Sequence, residues 1–328
     1  MKKIAFFDTK PYDRIWFDHY NKNYEIDYFE EKLNFHTAKM AEGFDGVCAF
    51  VNDDISARTI DRLYNLGVKT IAMRCAGYNN VDVKAAEGKI TLTRVPAYSP
   101  YSVAEHAMGM LLMLNRKLHK AYIRTRDFNF NISGLEGVDL HGKTAGIIGT
   151  GKIGRIFIDI CRGFGMNVIA YDLFPQKDAG IEYVDLDTLF KTSDIISLHC
   201  PLTENTHHIL DENAFSKMKK GVFIINTSRG GLVDAPALLD ALNSGTVRAV
   251  GLDVYEEEAD LFFEDNSDKI VTDETLSLLL TRPNVLITSH QAFLTREALQ
   301  NIAEVTIKNL DEFFLGGNIT NKIKDKGV

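Results

Sequence analysis

The sequence predicts an α/β protein of two stacked, doubly wound domains, and three observations carry that expectation. Short apolar runs alternate with helix-period patterns along most of the chain, as parallel strands joined by crossover helices require. Near the middle, one apolar run breaks into Gly149-Thr150-Gly151-Lys152-Ile153-Gly154 and then continues at helical spacing. The length, 328 residues, suits two domains better than one.

Taken in order, the first strands are expected at 3–7, 25–29, 46–51, 68–73 and 90–95. Five strands before the glycine motif are enough for a sheet of their own. The basic start of the chain has only a few apolar residues before Asp8, so it reads as the first of these strands rather than as a signal peptide. Pro100 is expected as a breaker, followed by a crossover helix from about Tyr101. After the motif, strands are expected at 167–172, 195–200, 222–226, 247–253 and 285–289. The amphipathic segment 296–314 has no strand after it and should return to the first domain. The expected domains are therefore 1–100 plus 297–328, discontinuous, and 101–296.

The glycine motif has a physical reading. Gly149 permits a tight turn, Gly151 lets a pyrophosphate approach the backbone, and Gly154 lets helix and strand pack closely. Ile153, Ile156, Phe157, Ile160 and Phe164 recur at spacings of three and four and mark the helix, whose free N–H groups would face phosphates. Asp172 follows Gly151 by about twenty residues, the offset at which an acid accepts the hydroxyls of an adenosine ribose. Glycine turns between strand and helix are common, but strand, helix and acid together point to a dinucleotide site. Leu173-Phe174-Pro175 offers no cation for a 2′-phosphate, so NAD is expected rather than NADP.

Composition narrows the function classes. The net charge of −8 gives a nucleic-acid role no support, and Lys217, Lys219 and Lys220 read as a solvated helix end. No apolar run approaches the ~18 residues of a membrane span, so no membrane is expected. Cys48, Cys75, Cys161 and Cys200 form no CxxC pair and read as reduced core thiols of a cytoplasmic protein. No metal site is expected. His207 and His208 are adjacent, and in an extended segment would point to opposite sides; His106 reads as a packed, hydrogen-bonded histidine. The helix 103–114 carries more apolar surface than one face needs, which suggests a partner subunit.

Ligands of an open parallel sheet gather beyond the carboxyl ends of its strands. Three successive late strands are followed by Thr227-Ser228-Arg229-Gly230-Gly231, by Val254-Tyr255-Glu256-Glu257-Glu258, and by His290-Gln291-Ala292-Phe293. Singly, Arg229 could be a surface charge near Asp234, Glu258 part of a solvated acidic run, and His290 a loop histidine. Together they match hydride transfer on a 2-keto acid: an arginine fork for a carboxylate, a histidine to move the hydroxyl proton, and an acid to orient the ring.

The ordered motifs GTGKIG, NTSRGGLVD, GLDVYEEE and SHQAF, with AYSPYSVAEHA around Tyr98, resemble the D-isomer-specific 2-hydroxyacid dehydrogenase family along essentially the whole chain. The resemblance implies a Rossmann NAD-binding domain and a flavodoxin-like substrate (catalytic) domain, with substrate held between them. It implies that Arg229 binds the substrate carboxylate and carbonyl, and that His290 is the proton donor paired with Glu258; Glu256 and Glu257 match that role less well. It carries pyrophosphate contacts to Lys152 and Ile153, the ribose to Asp172, the adenine side to Cys200, Pro201 and Thr206, the nicotinamide ribose to Thr227, Ser228 and Arg229, and the carboxamide to Asp253. The N–H groups near Ala76 and Gly77 would hold the carboxylate, with Phe50, Tyr98 and Phe293 around the substrate side chain. Many relatives with larger substrates have proline soon after the paired acid. Here an acidic insertion follows instead, from 259 to Arg282-Pro283, as in the lactate branch. Reversible NADH-dependent reduction of pyruvate to D-lactate by a homo-oligomer is the implied activity. The alternatives are a broader 2-keto acid reductase and an NADH-sensing binding protein; the joint presence of Arg229, Glu258 and His290 argues against pure sensing.

Overall fold

Every strand pairing in the two sheets is parallel. The computed structural model describes residues 1–176, 180–258 and 261–324. The end of the expected substrate-domain return, 325–328, and residues 259–260 of the acidic insertion lie outside the described residues. In chain order the elements are β1 (Lys2–Phe6), α1 (Pro11–Tyr20), β2 (Tyr24–Tyr28), β3 (Gly46–Ala49), α2 (Ala57–Asn65), β4 (Thr70–Met73), α3 (Val83–Ala86) and β5 (Thr91–Thr93). There follow α4 (Pro100–Arg116), α5 (Leu118–Arg126), β6 (Thr144–Ile148), α6 (Lys152–Gly163), β7 (Asn167–Tyr171), β8 (Glu182–Tyr183), α7 (Leu186–Thr192) and β9 (Ile195–Leu198). The chain ends with α8 (Glu212–Lys217), β10 (Val222–Asn226), α9 (Ala235–Asn243), β11 (Val247–Leu252), α10 (Glu274–Thr281), β12 (Val285–Ile287) and α11 (Arg296–Phe314). Two units result: Met1–Ser99 with Phe293–Val328, and Pro100–Ala292.

The first unit has strand order β2-β1-β3-β4-β5, the flavodoxin-like arrangement. All four residues of β3 and of β4 are buried, as expected of parallel strands covered on both faces. Helix α11 joins this unit because it buries Ala298, Ile302, Ala303, Ile307 and Leu310 on one stripe. Asp311 then accepts a hydrogen bond from the Tyr24 hydroxyl at 2.7 Å, fastening the helix to β2.

The second unit has strand order β12-β11-β10-β9-β6-β7-β8, so the winding reverses between β6 and β9. This is a doubly wound Rossmann sheet, with the glycine turn following β6 at the switch point. One core packs α4 and α6 against the sheet through Ala107, Leu111, Leu114, Phe157 and Cys161. The other packs α7 to α10 on the opposite face through Leu189, Phe215, Leu238 and Leu279.

Two expectations need correction, both at α4. Pro100 does not stand before the helix as a breaker but opens α4, where its missing N–H costs nothing. The apolar surface of α4 is largely spent inside the unit: Val103, Ala104, Ala107, Met108, Met110, Leu111 and Leu114 are all buried, and the helix packs on α6, β10 and β11. The buried face of α6 is Gly154, Phe157, Ile158 and Cys161, while Ile153, Ile156 and Ile160 pack at its edge and Phe164 is exposed. The close approach at Gly154 sets that rotation, since a Cβ there would overlap the Gly149 carbonyl. Among the described residues no helix is long and apolar enough to cross a membrane. All four cysteines are buried, and none forms a disulfide among the described residues.

Candidate active site

The glycine turn is held open by its own packing. Gly149 takes a φ of 96°, and a Cβ there would collide with the His199–Cys200 backbone. Gly151 caps α6 and faces open space, so a ligand can approach its backbone as the motif requires. Asp172 ends β7 beside this turn. Its Oδ2 accepts the N–H and hydroxyl of Thr150 at 2.6 and 2.8 Å, and its Oδ1 accepts the Phe174 N–H at 2.8 Å. Burial raises the Asp172 pKa, but those hydrogen bonds outweigh it and hold the carboxyl below the usual range. The residues fit a dinucleotide: an ionised acid, an unobstructed Gly151, and a buried Thr227 hydroxyl with no hydrogen-bond partner of its own.

Other expected cofactor residues are engaged locally. Cys200 is buried and its thiol is pushed up to about 11 by desolvation. The Ser228 hydroxyl donates to the Cys200 carbonyl at 2.6 Å, tying the ends of β9 and β10 together. The Thr206 hydroxyl braces its own turn, donating to the Pro201 carbonyl at 2.7 Å and accepting the Thr203 N–H at 2.8 Å.

Arg229 sits in extended backbone after β10, half-buried, and its guanidinium donates to the Ser228 carbonyl. It forms no ion pair among the described residues. Asp234 instead caps α9 through the Ala237 N–H at 3.0 Å. Beyond β11, Glu258 Oε1 lies 2.7 Å from His290 Nδ1, and its Oε2 accepts the Tyr255 N–H at 2.9 Å. His290 holds a φ of 52° and donates its own N–H to the Asp253 carbonyl at 2.7 Å. The fully buried Asp253 carboxylate accepts the Thr288 hydroxyl and the Gln291 and Ala292 N–H groups. It thus holds the turn that carries His290. His106 lies 3.2 Å from the Thr288 hydroxyl and 3.4 Å from Asp253, adding a further brace.

In the first unit the Phe293 ring lies 6.3 Å from Phe50 and 6.2 Å from Tyr98, edge-on to both. Below Phe50, the buried Arg74 guanidinium stacks at 4.5 Å from its ring. Asp53 accepts the Phe50 N–H, and Asn80 donates to the Phe50 carbonyl at 3.0 Å. The Ala76 and Gly77 N–H groups have no acceptor among the described residues, while the Ala76 and Gly77 carbonyls are taken by Arg94 and Cys75.

Two features were not foreseen. Phe263, in the insertion, places its ring 6.1 Å from that of His290; only chain folding brings it there. His207 and His208 do not point apart. His208 adopts a φ of 50°, which turns the chain out of the extended conformation, and the two rings stack with centroids 3.9 Å apart, both directed at Glu256.

Comparison with known proteins matches this geometry to a family. Residues 108–292 match the D-isomer specific 2-hydroxyacid dehydrogenase NAD binding domain. The D-lactate dehydrogenase of Escherichia coli (strain K12) is 50% identical over 327 residues, covering 98% of this chain and 99% of that protein. A solved structure of the pyruvate reductase of Chlamydomonas reinhardtii superposes with a TM-score of 0.91 at 43% identity, covering 98% of both chains. The Aquifex aeolicus D-lactate dehydrogenase, solved with NAD and lactic acid, superposes with a TM-score of 0.87 at 32% identity, again over 98% of both. With a relative at 50% identity over nearly its full length, and an NAD-binding sheet in its second unit, the chain belongs to the D-isomer-specific 2-hydroxyacid dehydrogenase family.

Proposed function

We propose that this protein catalyses the reversible reduction of pyruvate to D-lactate with NADH. The observation that carries the reading is the Glu258–His290 pair, 2.7 Å apart, in the same unit as an arginine with no carboxylate partner. All three residues follow the carboxyl ends of adjacent strands β10, β11 and β12.

Each residue has a task that its surroundings support. The Arg229 fork takes the substrate carboxylate and polarises the carbonyl oxygen. His290 delivers a proton to that oxygen from Nε2, because Nδ1 is committed to Glu258, and takes it back from the hydroxyl in the reverse direction. Glu258, anchored by the Tyr255 N–H, keeps the ring in orientation. Bound NADH supplies the hydride. The backbone of Gly151, Lys152 and Ile153 holds the pyrophosphate, Asp172 the adenosine ribose, and Cys200, Pro201 and Thr206 the adenine side. Thr227 and Ser228 flank the nicotinamide ribose. Asp253 acts chiefly by fixing the His290 turn.

In the first unit, assigned as the substrate domain (1–100 plus 297–328), the Ala76 and Gly77 N–H groups serve the carboxylate. Phe50, Tyr98 and Phe293 limit the substrate side chain to about a methyl group. Residues 101–296 are assigned as the NAD-binding domain. Self-association is also proposed, supported by exposed Tyr122, Ile123, Phe128 and Phe130 on and after α5 rather than by α4. A cytoplasmic location is supported by the four cysteines, none of which forms a disulfide among the described residues.

Loss of NADH absorbance with pyruvate, followed by chiral analysis of the product, tests the reading. D-lactate formation is expected. L-lactate, or turnover only with phenylpyruvate or branched keto acids, would overturn the substrate assignment; tight NADH binding without turnover would favour sensing.

A further inference from the structure

We propose that His207, His208 and Glu256 form a binding site for a divalent transition-metal ion of the Zn²⁺ class. Nε2 of His207 and Nε2 of His208 each lie 3.2 Å from Glu256 Oε1, and His208 Nε2 lies 3.0 Å from Glu256 Oε2. Zinc bonds of about 2.0–2.1 Å in tetrahedral geometry set neighbouring ligand atoms about 3.3 Å apart. The imidazole-to-carboxylate separations are therefore those of ligands to one ion, and an ion would take the place of the present hydrogen bonds. The ring stack brings both imidazole edges to one carboxylate, and the exposed His207 ring would tilt away from that of His208 so that the ion lies near the plane of each. All three ligand atoms lie within 4.8 Å of one another.

The site is organised before an ion arrives. His208 is held in the left-handed region at φ 50°, with its N–H donated to the Gly231 carbonyl at 2.8 Å. Its Nδ1 lies 3.8 Å from Asp234 Oδ2, a second carboxylate on the other side of the ring. The His207 side chain is 52% exposed, which leaves a path from solvent. Two imidazoles and one carboxylate suit Zn²⁺, Ni²⁺ or Cu²⁺, whereas Mg²⁺ and Ca²⁺ prefer oxygen ligands. Three protein ligands leave one position to water, so the ion is exchangeable rather than sealed in.

A bound ion would fasten the turn that contains Thr206 to the turn that contains Glu256, with the Gly230–Leu232 turn held through His208. Chelator-treated full-length protein, titrated with Zn²⁺ against a chromophoric chelator and followed by thermal melting, tests this. One Zn²⁺ per chain should bind and raise Tm, and Mg²⁺ at the same concentration should do neither. His207→Gln and Glu256→Gln should each weaken Zn²⁺ binding by more than roughly tenfold and abolish the Tm rise. Equal binding and equal Tm shifts in wild type and His207→Gln would place the ion elsewhere and overturn the proposal, as would the absence of binding in wild type. The half-exposed His207 carries the test should Glu256→Gln fail to fold. None of these readouts depends on turnover, so they stand apart from the proposed pyruvate activity.

Discussion

The Glu258 carboxylate divides its two oxygens between His290, the proposed proton donor, and the backbone: Oε1 meets His290 Nδ1 at 2.7 Å, and Oε2 receives the Tyr255 N–H at 2.9 Å. The acid is thus fixed before it orients the ring. His290→Gln should lower kcat on the order of 10² to 10⁴ while leaving NADH affinity near wild type. Glu258→Gln keeps an acceptor oxygen but loses the charge, and should also lower kcat without changing NADH binding. Steady-state kinetics with NADH fluorescence titration would read both; a Glu258→Gln enzyme with wild-type kcat would remove the acid from the mechanism.

Arg229 tests substrate positioning. Lysine keeps the charge but cannot form a bidentate fork, so Arg229→Lys should raise KM for pyruvate and lower kcat together. NADH dissociation should hardly change. Normal pyruvate kinetics in this variant would exclude Arg229 from the clamp.

Asp172, the proposed ribose ligand, tests cofactor choice. Asp172→Ala should weaken NADH binding by the worth of charge-assisted hydrogen bonds, about 1.5–3 kcal/mol, and narrow the preference over NADPH. Because hydrogen bonds from Phe174 and Thr150 hold its carboxyl low despite burial, NADH affinity should show no Asp172 titration until pH falls below the ordinary carboxylate range. An unchanged NADH/NADPH ratio in Asp172→Ala would assign the ribose to another residue.

Phe50, proposed to limit substrate size, is packed against Arg74 and held at its backbone by Asp53 and Asn80. Phe50→Leu should lose efficiency on pyruvate and gain relative efficiency on longer 2-keto acids. A hydrophobic contact of this size discriminates by about 1–3 kcal/mol, so the ratio of kcat/KM values should move tens-fold at most. A substrate profile identical to wild type would show that the aromatic cluster does not meet the substrate.

His199 predicts acid sensitivity. Its ring is buried and desolvation pushes its pKa down to about 3, with Nε2 2.9 Å from the Ser197 hydroxyl. The unfolded chain takes up this proton near pH 6.5, the folded chain only near pH 3, so stability falls as pH drops through that window. Going from about pH 7 to about pH 5 should cost about 2 kcal/mol from this residue. His199→Gln should flatten the corresponding part of the urea-midpoint against pH curve. Parallel curves for the two proteins would mean that the ring is hydrated or already charged.

The parallel strands could be read from sequence because their burial on both faces makes them continuous apolar runs, as in β4, β9 and β10. Strand β8 could not: two residues, Glu182 and Tyr183, pair at the sheet edge and carry no apolar run. The buried face of α6 was not legible, because apolar spacing marks the helix but not the depth of packing, which Gly154 decides. Arg229, Glu258 and His290 stood out because each follows a strand that periodicity locates. Asp253 was visible as an acid at a strand end, yet its three backbone and hydroxyl donors come from 288–292, a turn whose shape depends on His290 in a left-handed conformation. The same conformational choice at His208 reverses what adjacency in an extended chain implies. Positive φ at a histidine has no signature in composition or spacing.

Gly230 lies flat on the Tyr255–Glu256 peptide, where any side chain would overlap backbone atoms. The spacing between the arginine's turn and the acid's turn is therefore set by main chain pressed on main chain, not by the reach of either charged group. Exchanging Arg229 or Glu258 removes a functional head while the plate beneath both stays in register. Kinetic losses in such variants can then be read as lost chemistry, and a double-mutant cycle across the two positions should measure coupling through the bound substrate rather than through a shifted scaffold.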